Sequence, residues 1–280
     1  MPTLAEANFD VLFSMFKGEP GTRKSTAALS YPTPQYWIST DQKMEAMTLP
    51  AKRFGIDLNK DVHYDDYTDW NKPKAKLEQL QLNCPYKTII VDSITSIGDA
   101  MTSQVKKAKT GNQKVIGGIA VSGFEEFNAE SAGFQEMIAL LKDIHKFHKV
   151  NIILIAHVLG ARKDDPSNKL THHSRIIVTG AEKISAKLAS YVTEAYHFNI
   201  KSDFDADKGG HYALRTTHTG NDYARTSLPL AEEIVFDNQP LYEKWIAPAI
   251  KRLKEEVPIQ RIVPSASNVT PITTNKSFQG

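Results

Sequence analysis

Gly18-Glu19-Pro20-Gly21-Thr22-Arg23-Lys24-Ser25-Thr26, near the start of the chain, decides its fold. The apolar run before it, Val11-Leu12-Phe13-Ser14-Met15-Phe16, reads as a buried strand. Ser25-Thr26-Ala27-Ala28-Leu29 behind it reads as a first helical turn. Strand, glycine-containing loop, Lys-Ser and helix is the order that a phosphate-binding loop needs. Glycines let the backbone curl so that its N–H groups converge on an anion, and the helix N-terminus adds unpaired donors and a positive dipole end. Lys24 would reach β- and γ-phosphates, and the Ser25 hydroxyl would ligate Mg²⁺. The motif normally carries glycine just before the lysine; here that residue is Arg23. The structural alternative is a strand-to-helix turn with a surface lysine.

A second motif supports the first. Lys87-Thr88-Ile89-Ile90-Val91-Asp92-Ser93 is an apolar strand ending in an acid, the pattern of a strand buried on both faces of a parallel sheet. Ligands of open α/β sheets bind beyond the carboxyl ends of strands, which would bring Asp92 beside the loop to hold Mg²⁺ through water. The alternative is that Asp92 or Ser93 caps the next helix.

The chain has 280 residues, 41% apolar and 24% charged, a composition that suits one sizeable globular α/β domain. A net charge of +2 imposes no global field for nucleic acid, so any basic surface must be local. The single cysteine, Cys84, excludes an intramolecular disulfide framework and reads as a packing residue. No run of 18 apolar residues argues for a membrane span, and the N-terminus lacks a signal-peptide pattern. The expectation is a cytoplasmic protein with no membrane partner.

Strands and helices alternate along the chain. Gln35-Tyr36-Trp37-Ile38-Ser39-Thr40 ends at Asp41, and Asn151-Ile152-Ile153-Leu154-Ile155-Ala156 ends at His157. Between Asp92 and Asn151, the helical spacing of Met137, Ile138, Leu141, Ile144 and Phe147 predicts a helix over Phe134 to His148. Ala195–Ile200 and Tyr212–Thr217 flank the turn signal Asp207-Lys208-Gly209-Gly210 and predict a hairpin. The expected fold is α/β: a mostly parallel central sheet flanked by helices, with an antiparallel hairpin at the C-terminal edge. It spans residues 1–250 as one domain, and the composition of 257–280 predicts a disordered tail. Residues 104–123 and 159–180 read as functional loops.

The ordered set Gly18 to Ser25, Asp41, Asp92-Ser93 and Ala156-His157 resembles RecA-like P-loop ATPases, and most of all their compact bacteriophage branch, the Sak-type recombination ATPases. The resemblance spans roughly residues 10 to 245. Thr179-Gly180-Ala181-Glu182-Lys183 resembles the family's glycine-lysine element. Arg215-Thr216 and Tyr223-Ala224-Arg225-Thr226-Ser227-Leu228-Pro229 resemble its late basic motif. The resemblance implies ATP and Mg²⁺ as cofactors. It also implies a homo-oligomer, ring or filament, with ATP at a subunit boundary and Arg225 or Arg215 reaching across as a finger.

The same resemblance gives Asp41 the role of the carboxylate that positions the attacking water, at the end of a strand next to the P-loop strand. Glu45, one helical turn on, is the alternative carboxylate, and a helix cap is the alternative role for Asp41. His157 takes the place of a γ-phosphate sensor; the alternative is a strand-end histidine satisfied by backbone. The two loops fall where such proteins bind single-stranded DNA, with Lys106, Lys107, Lys109, Lys114, Arg162, Lys163 and Lys169 as phosphate contacts. On charge alone Lys106, Lys107 and Lys109 read as a solvated helix face. His172-His173 read as loop or nucleic-acid contacts. A single-strand-binding protein is a candidate partner for the tail.

Three functional readings follow. The first is a recombination or replication ATPase of a phage acting in a bacterial host. The second is a nucleotide-dependent mediator or assembly module with little hydrolysis, favoured by Arg23 and by aspartate at position 41. The third, a helicase or DNA-packaging motor, ranks last because the chain is short for the extra domains of such motors.

Overall fold

The computed structural model describes residues 10–108, 115–116, 119–120, 124–159, 175–176, 188, 190–202, 210–219 and 223–255. Strand β1 (Phe13–Gly18) leads into helix α1 (Lys24–Leu29), then β2 (Gln35–Ser39), a 3₁₀ turn (Met44–Met47), α2 (Thr48–Phe54), α3 (Leu58–Asp61) and β3 (Val62–Asp66). Helix α4 (Asn71–Leu82), β4 (Thr88–Asp92) and α5 (Ile94–Ala108) follow. A two-stranded element, β5 (Val115–Ile116) and β6 (Ile119–Ala120), precedes α6 (Phe124–His148) and β7 (Asn151–Leu159). The chain closes with β8 (Arg175–Ile176), β9 (Glu194–Ser202), β10 (Gly210–Arg215), β11 (Glu233–Val235) and a C-terminal helix, π over Tyr242–Ile246 and α over Ala247–Lys254.

The main sheet runs β11-β10-β9-β1-β7-β4-β2-β3, with β8 paired to β7. Along the path from β9 to β3 every pairing is parallel; β10 and β11 add antiparallel at the edge, and the short β8 pairs antiparallel with β7. The expected α/β fold is therefore the observed one, and β9 with β10 form the expected antiparallel pair. The turn residues 207–209 lie outside the described residues.

Alternation along the central strands explains why the sheet is covered on both faces. Ile89, Val91, Ile152 and Leu154 face one core with Leu77, Ile97, Met137 and Leu141 from α4, α5 and α6. Ile90, Ile153 and Ile155 face the other, with Ala28 and Leu29 of α1 and Ile246 and Ile250 of the C-terminal helix. Two buried polar side chains tie the frame. Asn151 accepts from Leu12 N–H at 3.0 Å and donates to Lys87 O at 3.3 Å, joining the entries of β1, β7 and β4. Gln35 donates to the carbonyls of Leu29 (2.8 Å) and Tyr31 (2.7 Å), closing the end of α1.

Three expectations are corrected. The helix predicted from Phe134 starts at Phe124, because its first turns carry Glu125, Glu126 and Glu130, which break the apolar spacing. Residues 104–108 are the last turns of α5 rather than loop, so Lys106 and Lys107 stand on a helix end. Strand β2 is not next to β1: β7 and β4 lie between them. The short strand β3, with burial only at Val62, gave too little apolar pattern to be foreseen.

Candidate functional site

The ends of β1, β7, β4 and β2 lie level: Gly18 pairs with His157, Asp92 with Ile155, and Ser39 with Asp92. Loops leaving these ends therefore share one crevice. Glu19, Pro20 and Gly21 make an exposed crest, with Gly21 left-handed at φ +81°. At Gly18 a Cβ would lie 2.4 Å from the Phe198 carbonyl oxygen of β9, so this position needs glycine for close backbone approach. Thr22 donates to Glu19 O at 2.8 Å and closes the turn. The buried Lys24 Nζ curls back to donate to the carbonyls of Gly18 (2.9 Å) and Glu19 (2.8 Å). Burial pushes the Lys24 ammonium down to about 8, against the pull of Asp92, Asp41 and Glu19. Thr26 is half-buried in the first turn of α1.

Arg23 holds the left-handed conformation that the motif's glycine would supply, at φ 63°, ψ 30°. Its side chain leaves the loop and stacks on Tyr212, 3.8 Å from the ring centroid. The guanidinium also donates to Asp237 O at 3.2 Å and to the Asn238 side chain.

Asp92 and Ser25 meet across the crevice, the Ser25 hydroxyl donating to Asp92 Oδ2 at 2.7 Å. Burial raises the Asp92 carboxyl above its ordinary value, offset by Ser25, His157 and Lys24. The two roles left open at this strand end divide between neighbours. Ser93 Oγ accepts from Ser96 N–H at 3.2 Å and caps α5, which leaves the Asp92 carboxylate to the loop. Ser93 and Thr40 exchange two hydrogen bonds of 3.0 Å, locking the end of β2 to that of β4.

Although β2 lies away from β1, Asp41 enters the same crevice. Its Oδ2 lies 3.3 Å from His157 Nε2, and its Oδ1 accepts from Ser93 Oγ at 3.1 Å and from Ser96 Oγ. Asp41 caps no helix; the 3₁₀ turn that follows has no side-chain cap. Burial alone would raise the Asp41 carboxyl, but the bonds from His157, Ser96 and Ser93 outweigh it and hold it at about 2. His157 is not satisfied by backbone. Its N–H donates to Thr95 Oγ1 at 3.2 Å, its Nε2 meets Asp41, and its buried Nδ1 has no hydrogen-bond partner among the described residues.

The remaining predicted residues scatter. Glu45 is exposed on the 3₁₀ turn and does not join Asp41. Arg215 ends β10 and donates to Thr219 Oγ1 at 3.2 Å. Arg225 is exposed, bridges Ala195 through its backbone and donates to the Val192 carbonyl. Lys109, Lys114, Arg162, Lys163, Lys169, His172-His173, the 179–183 element and the 257–280 tail lie outside the described residues. Cys84 is partly buried and donates weakly to Tyr86 O at 3.8 Å, as a packing residue would. Among the described residues no helix is long and apolar enough to cross a membrane.

Sequence reasoning missed Ser96, Thr40 and Thr95. The Ser93-x-x-Ser96 spacing was a legible signal of a helix start, but nothing in the chain order tied it to Asp41.

A parallel sheet with a glycine loop, a buried lysine and a serine–aspartate pair at its carboxyl end defines a P-loop ATPase-type domain. A family model described as an AAA domain matches residues 15–228, and the chain belongs to that family. No curated protein matches the chain.

Proposed function

We propose that this chain is an ATP-binding and ATP-hydrolysing RecA-like protein of phage DNA recombination or replication, acting on single-stranded DNA in the bacterial cytoplasm. One observation carries the nucleotide part of the reading: Ser25 Oγ stands 2.7 Å from Asp92 Oδ2 beside the buried Lys24, the donor set that a magnesium nucleotide requires. Ser25 would hold Mg²⁺ directly and Asp92 through water. When bound, the ion adds positive charge against the β- and γ-phosphate oxygens.

The chain's own residues do the rest. Lys24 exchanges its two carbonyl partners for phosphate oxygens, and loop N–H groups cradle the anion. Asp41 orients His157 at the strand end, where the imidazole would meet the γ-phosphate of a bound nucleotide. Arg215 or Arg225 would act on a neighbouring subunit's nucleotide in a ring or filament. Lys106 and Lys107, at the end of α5, would track DNA phosphates together with the basic residues of 109–114 and 160–169. A single-strand-binding protein is the partner proposed for the tail.

A second reading, a nucleotide-dependent mediator with little turnover, is favoured by one feature. Asp41, held near 2 by three donors, is a weak proton acceptor.

ATP hydrolysis by the purified protein, with and without single-stranded DNA, tests both readings beside Lys24→Ala. DNA-stimulated turnover that Lys24→Ala abolishes supports the ATPase. Nucleotide binding without turnover supports the mediator. Absence of nucleotide binding sinks both.

A further inference from the structure

Arg23 departs from the phosphate-loop pattern in residue type yet keeps its backbone shape. A non-glycine residue in the left-handed region is strained by its Cβ, so something must hold it there. The holder is distant in sequence. The guanidinium stacks on Tyr212 of β10 and donates to Asp237 O and to Asn238 Oδ1. Arg53 of α2 donates to the same Asn238 oxygen.

The receiving turn is itself braced. Asp237, like Arg23, is a non-glycine residue at positive φ, 43°. Its carboxylate accepts from Tyr212 N–H at 2.8 Å and meets His211 Nδ1 at 3.0 Å. Arg23 thus ties the start of α1 to a turn that β10 already fixes.

We infer that Arg23 is a positioning residue: its clasp on Tyr212 and the Asp237–Asn238 turn holds the loop in its anion-binding shape. Without the clasp the arginine relaxes toward right-handed backbone, and the loop spends less time competent to bind. Apparent affinity falls by that fraction. Tyr212 and Asn238 therefore govern phosphate binding through Arg23.

The affinity arm of the test rests on the nucleotide reading above; a second arm does not. In the nucleotide-free protein, hydrogen–deuterium exchange at residues 24–29 should rise severalfold in Arg23→Ala, Tyr212→Ala and Asn238→Ala alike. Affinity for a fluorescent ATP analogue with Mg²⁺ should fall about tenfold in Arg23→Ala and in Tyr212→Ala, and the double variant should be no weaker than the worse single one. Arg23→Gly, which adopts the left-handed shape without strain, should bind more tightly than Arg23→Ala. Tyr212→Phe keeps the ring and should match the unaltered protein, which separates the stack from any folding defect of Tyr212→Ala.

Unchanged exchange in Tyr212→Ala and Asn238→Ala overturns the clasp, as does an additive double variant. If the unaltered protein binds no nucleotide, the functional reading fails, and the exchange arm still decides the clasp.

Discussion

Asp41 accepts hydrogen bonds from Ser93 and Ser96 and meets His157, and this crowding sets its chemistry. A carboxylate held at about 2 anchors an imidazole better than it takes a proton from water. Asp41→Asn should therefore lower turnover by about 10²-fold while moving nucleotide affinity less than threefold, in steady-state kinetics against equilibrium binding. Glu45→Gln, at an exposed position, should leave both unchanged. The depressed value also has a sign for stability. The Asp41 contribution is complete above its ordinary 3.8 and is lost as pH falls toward about 2. Asp41→Asn should lack this component, on the order of 2 kcal/mol, in acid titrations of urea unfolding at pH 2 to 5.

At the scale of elements, α5 and α6 pack around a buried carboxylate. Glu130 of α6 is fully buried; its Oε2 accepts from Thr102 Oγ1 at 3.5 Å, and its Oε1 has no hydrogen-bond partner among the described residues. Burial, reinforced by Asp99, pushes this carboxyl up to about 8. The sign is opposite to that of Asp41. Stability is complete below the ordinary 4.5 and declines as pH rises through about 8, because the charge must form in a dry site. Glu130→Gln should stabilise the protein at pH 9 by about 1–3 kcal/mol and change little at pH 5, in urea unfolding at the two pH values.

For the whole molecule, the proposed subunit-boundary ATP site makes a prediction that no single chain can meet. Arg225 donates to the Val192 carbonyl of its own chain, and Arg215 to its own Thr219. A finger acting in trans must release one of these contacts on assembly. Nucleotide should then raise the particle mass in light scattering. Mixing inactive Lys24→Ala subunits with inactive Arg225→Ala or Arg215→Ala subunits should restore part of the turnover, since some boundaries then hold an intact loop and an intact finger. Absence of restoration with both arginine variants would remove the trans role.

Much of this was legible along the chain because it depends on short-range pattern. Continuous apolar runs announced β1, β4 and β7, and the loop residues between β1 and α1 carry their chemistry in order and spacing. Hydrophobic pattern and backbone constraint are local properties, so sequence by itself determined the long strands β1, β2, β4 and β7, the phosphate loop and the acid at the end of β4. Tertiary structure alone decided which strand ends meet. Strand order is a matter of global packing, and it set β7 and β4 between β1 and β2 while still leaving Asp41 against His157. It also decided the fate of Arg23. From the sequence that residue was an irregularity in a motif, but its stabilising partners, Tyr212 and Asn238, reach it only once β10 and the C-terminal turn fold onto the sheet edge. Contacts between residues so far apart are chosen by the packed core, because no local preference encodes them.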